Sequence, residues 1–226
     1  MARQQKKLTK KELREDPLMK SVAQAQTWME VNGKKLAIGV VAVAAVIIIS
    51  VVMLNSRKAA NVTSMAELAT VRQTLAQQPD ADISEQLEDV AATYKGTTGG
   101  AEALMAIADL ALNDGDNEKA VETYERFIKS YPKTFMLTAA AWEGKATALS
   151  NMENWEEAAE TYDRVAGMKD ASHVRANLLL KAANCYEKAG KVDIALKRVE
   201  TALESSPPSS VETEAKIEQA RLELMG

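Results

Sequence analysis

The side chains best suited to chemistry are few. The chain holds one His and one Cys among 226 residues. His173 stands in Asp170-Ala-Ser172-His173, which puts a carboxylate, a hydroxyl and an imidazole side by side in sequence. A nucleophilic triad needs these groups at hydrogen-bond reach in space, and no Gly-x-Ser-x-Gly elbow accompanies them. The segment reads as a linker carrying a surface His near a helix start. Cys185, next to Tyr186, falls on an expected buried helix face and reads as a small core residue rather than a redox thiol. A single Cys permits no intrachain disulfide. Gly96-Thr-Thr-Gly-Gly100 lacks the Lys-Ser/Thr and the preceding strand of a phosphate cradle, and reads as a loop between hairpins. Asp114-Gly-Asp-Asn117 resembles part of a calcium loop without completing one. Asn61-Val-Thr63 is a formal glycosylation acceptor that a bacterial setting would make irrelevant. These residues make no catalytic constellation, so no enzyme activity, cofactor or metal is expected.

The elements that carry these residues are helical. Aromatics make up only 4% of the chain, and 10 Gly and 5 Pro supply little turn chemistry, which argues against an all-β sandwich. The formal charge of −4 excludes a nucleic-acid-binding polycation, so no nucleic-acid partner is expected. That average hides a division. Residues 1–35 hold nine Lys/Arg against four acids, a net of +5, while the rest of the chain carries −9.

Between the two lies a charge-free run, Leu36 to Leu54, in which twelve of 19 residues are Val, Ile or Leu. As a helix it spans roughly 28 Å, close to the ~30 Å hydrocarbon core of a bilayer. A cleaved signal peptide has a shorter apolar core and a short basic head, so a retained transmembrane helix fits better. The basic flank favours a cytoplasmic N-terminus, although Arg57 and Lys58 just beyond the span balance Lys34 and Lys35. Within the head, Asp16-Pro17 reads as a cap and first turn, and Asn32-Gly33 as a helix stop. Leu18, Val22, Ala25 and Met29 share one face between them. That segment is an amphipathic entry to the span, an interfacial helix on anionic lipid, or a dock for a cytoplasmic partner. Residues 2–11 read as a disordered basic tail. The expected organisation is a basic cytoplasmic head over 1–35, a transmembrane helix over 36–54, a linker over 55–63 and a helical domain over 64–226.

That domain repeats. Ala120, Ala158 and Ala195 recur in similar contexts at spacings of 38 and 37 residues, and another helix starts nineteen positions before each. Every unit is a helix, a polar turn and a second helix, with Gly115 and Gly190 as left-handed stops. Ala108, Ala146 and Ala183 let the two helices of a unit approach closely. Neither helix buries its apolar stripe alone, so the units must stack. Ser64–Gln78 and Ser84–Tyr94 read as a diverged first hairpin joined through Pro79, and Val211–Met225 as a C-terminal capping helix.

The layout resembles the tetratricopeptide repeat. Leu104, Ala108, Ala111, Ala120, Tyr124 and Pro132 fall on its signature positions in the first unit. Trp142, Ala146, Leu149, Ala158 and Tyr162 follow in the second, and Leu179, Ala183, Tyr186, Ala195 and Pro207 in the third. Lys145 departs from the pattern, where an apolar residue is usual, and so does Asp170, where Pro is usual. Extra residues around Lys133–Thr138 and Gly167–Arg175 lengthen the links. The fold class expected is all-α: a single transmembrane helix followed by a tetratricopeptide-like helical-hairpin solenoid.

A basic head, Asn32-Gly33-Lys34 leading into one span, and degenerate hairpins beyond it are also similar to the YfgM family of ancillary Sec translocon subunits. That resemblance implies a bacterial inner-membrane protein with a periplasmic C-terminal domain. It also implies partners among translocon subunits, periplasmic chaperones or client polypeptides. An envelope-assembly or division adaptor unrelated to Sec is the alternative. In the tetratricopeptide family the concave groove is lined by the first helix of each repeat. Carried onto this chain, it comprises Glu102, Met105, Asp109 and Leu112, then Glu143, Thr147 and Ser150, then Asn177, Leu180, Asn184 and Glu187. No Lys or Arg is among them, which implies a groove for apolar or basic segments rather than for a terminal carboxylate.

Overall fold

The structure, a computed structural model, describes residues 17–79, 81–132, 135–172 and 174–225. The expected basic tail at 2–11, the Asp16 cap and His173 lie outside the described residues. Those described form nine α-helices, one 3₁₀ turn and no strand. They are α1 (Pro17–Gln77), α2 (Ser84–Thr93), α3 (Thr98–Asn113), α4 (Asn117–Ser130), α5 (Phe135–Asn151), α6 (Trp155–Ala166), α7 (Arg175–Lys188), α8 (Val192–Glu204) and α9 (Ser209–Glu223), with the 3₁₀ turn at Lys169–Ala171. The chain divides into two compact units, 1–58 and 59–226.

The described part of the first unit is a single stretch of α1. Its polar side chains turn back onto their own helix: Thr27 Oγ1 donates to the Ala23 carbonyl at 2.9 Å, and Ser50 Oγ to that of Val46 at 2.7 Å. Asn32-Gly33 does not stop the helix. Asn32 Nδ2 donates to the Trp28 carbonyl at 3.1 Å, and α1 continues through Gly33 and through residues 55–63. Where apolar side chains surround the backbone, an unbroken hydrogen-bond ladder outweighs the local turn preference of an Asn-Gly pair.

In the second unit, consecutive helices from α2 to α9 pack as antiparallel neighbours. The repeat explains why. Ala108, Ala146 and Ala183 on the first helices, and Ala120, Ala158 and Ala195 on the second, are all at 0% exposure. A larger side chain at any of them would hold the pair apart. Tyr124, Tyr162 and Val199 occupy one repeat position and are buried against them. Gly144 takes the Tyr124 ring so closely that a Cβ would lie 2.3 Å from it.

Turns follow the same period. Gly115, Glu153 and Gly190, again 38 and 37 residues apart, hold positive φ of 80°, 61° and 76°. The middle repeat therefore places a non-glycine residue in the left-handed region. The segment read as a Gly-rich loop is largely the start of α3. Thr97 Oγ1 accepts from the Gly100 amide at 3.1 Å, and Asn61 Oδ1 from the Thr98 amide at 2.8 Å. A Cβ on Gly99 would lie 2.6 Å from Ser64, which is fully buried. These glycines let the end of α1 and the start of α3 close together. Leu68 and Val71 of α1 then join Ile83, Leu87 and Val90 in one core with α3 and α4.

Lys145 is 7% exposed, with its Nζ 2.7 Å from Glu125 of α4 and 3.2 Å from Glu157 of α6. Burial works against its charge, but hydrogen bonds and attraction from the two glutamates prevail and hold its pKa above the ordinary lysine value. The departure from the repeat pattern thus joins three helices.

Two substitutions test this packing. Glu153→Gly removes left-handed strain of about 1 kcal/mol and is expected to raise the melting temperature. Gly144→Ala forces the Tyr124 ring to move, costing typically 1–3 kcal/mol, and is expected to lower it. Thermal melts read by circular dichroism check both, and opposite signs would contradict the turn and packing assignments.

Candidate functional site

The first helices of the repeats, α3, α5 and α7, carry the eleven expected groove residues, and the structure divides them. On α3 the surface is closed. Met105 is 7% exposed, and Leu112 is half-buried against the N-terminal core. Glu102 accepts from Arg72 Nη2 of α1 at 2.7 Å, and Asp109 from the Tyr124 hydroxyl at 2.6 Å. Burial first, then this carboxylate, pushes the Tyr124 pKa far above the phenol range. The α3 face therefore offers neither free acids nor free apolar surface.

On α5 and α7 the surface opens. Around the 3₁₀ turn the link from α6 to α7 runs over residues 167–174, and α5 and α7 approach each other less closely than α3 approaches α5. The space between them is a pocket of about 630 Å³. It brings together Glu143, Thr147 and Ser150 of α5 with Asn177, Leu180 and Asn184 of α7. Lys181, Tyr162, Val174, Leu178, Cys185 and, from α9, Glu214 and Glu218 complete it. Of the expected residues, Glu102, Met105, Asp109, Leu112 and Glu187 lie outside its lining.

The polar contacts within it are ordered. The Thr147 Oγ1 and Tyr162 hydroxyl are 2.9 Å apart, repeating the Asp109–Tyr124 contact at the same offset of 15 residues. In the third repeat Val199 replaces the Tyr, and Asn184, at the Asp109 position, receives no such bond. Lys181 Nζ donates to Glu143 Oε1 at 2.7 Å and stands 5.7 Å from the Tyr162 ring centroid. Burial opposes the Lys181 charge, but its bond to Glu143 prevails and raises its pKa. Cys185 is 2% exposed, its Sγ 3.7 Å from Ser150 Oγ, and burial pushes the thiol pKa up. A nucleophilic thiol needs the opposite shift. Among the described residues no His/Cys/Asp/Glu cluster could hold a metal ion.

Lys181, Glu214 and Glu218 were not named from sequence, and Tyr162 was named only as a repeat signature position, not as part of the groove. Lys181 lies one turn from both Asn177 and Asn184, so a wider stripe on α7 would have included it. The α9 glutamates carry no such signal, since the capping helix falls outside the repeat. Arg221 of α9 holds it in place, pairing with Glu187 of α7 and with Glu218.

Stacked helical hairpins with this periodicity and a concave pocket define a tetratricopeptide-type solenoid, a fold that serves as a protein–protein interaction scaffold. The tetratricopeptide repeat family model matches residues 85–134 and 105–173. Among solved structures, a putative kinesin light chain from Podosopora anserina with nearly identical TPR-like repeats is similar, at 18% identity and a TM-score of 0.52. That match covers 70% of this chain and 84% of the other. The N-terminal domain of stress-induced protein-1 from C. elegans matches at 16% identity and a TM-score of 0.46, over 53% of this chain and 94% of that one. Curated protein sequences give no match.

The Arg221 contact makes α9 sensitive to acid. Its guanidinium hydrogen bonds hold the Glu187 pKa below the ordinary carboxylate range. A lowered folded-state pKa contributes stability that is complete above the unfolded value and is lost as pH falls through the folded one. Arg221→Gln is therefore expected to lower the melting temperature at about pH 6–7, with the difference from wild type shrinking as pH falls below the ordinary glutamate value and through the lowered folded one. Paired melts across that range check this, and a difference independent of pH would contradict it.

Proposed function

We propose that the protein is a single-pass membrane scaffold whose repeat domain captures partner polypeptides. One observation carries the anchor. Thirteen large apolar side chains between Leu36 and Leu54 stand 46% to 70% exposed, whereas the repeat domain buries its own apolar stripes. A helix long and apolar enough to cross a bilayer, with none of its apolar window buried, finds its missing partner in lipid.

The +5 head supports a cytoplasmic N-terminus and, with it, a repeat domain on the periplasmic side of a bacterial inner membrane. A head, one span and a degenerate solenoid form the layout of YfgM-like ancillary subunits. That likeness supports partners among Sec translocon subunits, periplasmic chaperones and the polypeptides they handle. The tetratricopeptide fold supports binding rather than catalysis as the domain's work.

Alkaline phosphatase and a fluorescent protein, fused in turn after Gly226, test the orientation. Active phosphatase with a dark fluorescent fusion is expected, and the reverse would contradict it. Co-purification from mildly solubilised membranes tests the association, with translocon subunits expected by mass spectrometry. Their absence would remove the Sec assignment while leaving the anchor.

A further inference from the structure

We propose that the pocket between α5, α7 and α9 takes a cationic side chain, Lys or Arg, carried on an extended stretch of partner polypeptide. This rests on the scaffold reading and adds the chemistry of the partner. Three features of the pocket point to it.

The first is what it already holds. Lys181 sits with its ammonium 2.7 Å from Glu143 and 5.7 Å from the Tyr162 ring, so a carboxylate and an aromatic face there already accommodate a cation. The second is the remaining charge. The lining has three glutamates, Glu143, Glu214 and Glu218, against the one lysine. Glu143 is paired with Lys181 and Glu218 with Arg221, but Glu214 is exposed and has no partner among the described residues. The domain around it, residues 59–226, holds 17 Lys/Arg and 28 Asp/Glu, a net of −11. An acidic segment would meet repulsion at every range, and a basic one attraction.

The third is the pair of carboxamides on α7. Asn177 and Asn184 are exposed, line the pocket and make no hydrogen bond among the described residues. They lie two turns apart, about 10 Å along the helix, which is the rise of three extended residues. Each amide presents a donor and an acceptor, the complement of a backbone N–H and C=O. The α3 end of the concave face lacks the unpaired acid and the pair of carboxamides, since Glu102 and Asp109 are both engaged.

The test uses the full chain in lipid nanodiscs and short fluorescein-labelled Ala/Ser peptides with a central Arg, Leu or Glu, read by anisotropy. The Arg peptide is expected to bind about tenfold or more tightly than the Leu and Glu analogues at low ionic strength, with the preference shrinking as salt screens it. Glu214→Gln, at an exposed position, is expected to leave the fold intact by circular dichroism and to weaken the Arg peptide about twofold to fivefold. Asn177→Ala with Asn184→Ala should weaken it as well, and Glu122→Gln on α4, away from the pocket, should not. Equal binding of the three peptides, no binding of the Arg peptide, or indifference to Glu214→Gln would overturn the proposal. Free arginine amide competing as well as the peptide would overturn the backbone contact. Partners that still co-purify with Glu214→Gln and the double Asn variant would leave the scaffold standing and the pocket chemistry refuted.

Discussion

The close approach of paired helices at six alanines is the constraint on which the repeat domain depends. A helix of 13 to 17 residues with one apolar stripe is marginal alone. It becomes stable when its neighbour lies near enough to remove that stripe from water. Ala108, Ala146 and Ala183 facing Ala120, Ala158 and Ala195 make that distance short. The other packing features follow from the resulting geometry. Gly144 yields to the Tyr124 ring, Gly99 to Ser64, and the tyrosines reach back across their hairpins to residues 15 positions earlier. Ion pairs such as Lys181–Glu143, Arg198–Asp163 and Arg221–Glu187 link adjacent repeats at separations of 34 to 38 residues. The exposed one, Lys181–Glu143, contributes at most about 1 kcal/mol. Together these pairs also set which carboxylates remain free.

The same geometry determines where the concave surface opens. The end of α1 packs over α3, its Arg72 engaging Glu102, and closes the first part of the groove. The longer link around the 3₁₀ turn separates α5 from α7 and leaves room between them, while α9, pinned through Arg221, supplies the far wall. The proposed function draws on this asymmetry, because a pocket with free carboxamides and one unpaired glutamate can select among polypeptides where a fully paired surface cannot.

Most of the architecture was legible in the sequence because its signals are local or periodic. The 38- and 37-residue recurrence of Ala120, Ala158 and Ala195 located all three hairpins, and the uncharged run from Leu36 to Leu54 marked the exposed apolar part of α1. Signals that depend on distant partners were misread. Asn32-Gly33 has the composition of a helix stop, yet the apolar run behind it carries the helix through. Gly99 and Gly100 looked like loop glycines, whereas they are contact points whose partners, Ser64 and Tyr94, lie in other elements. Glu153 gave no sign of a left-handed turn because glycine is the usual marker. Four acids in the expected groove looked free in sequence, and each is engaged by a residue 15 to 38 positions away. Spacing alone shows which face a residue shares, and not which partner reaches it.

The most direct test of this account is thiol accessibility along the concave face. In a Cys185→Ser background, single cysteines at Met105 and Asn184 would be timed against a maleimide under native conditions. Rapid labelling at Asn184 with slow labelling at Met105 is the expected result, because the groove is open at α7 and closed at α3. Equal rates, or faster reaction at Met105, would contradict it.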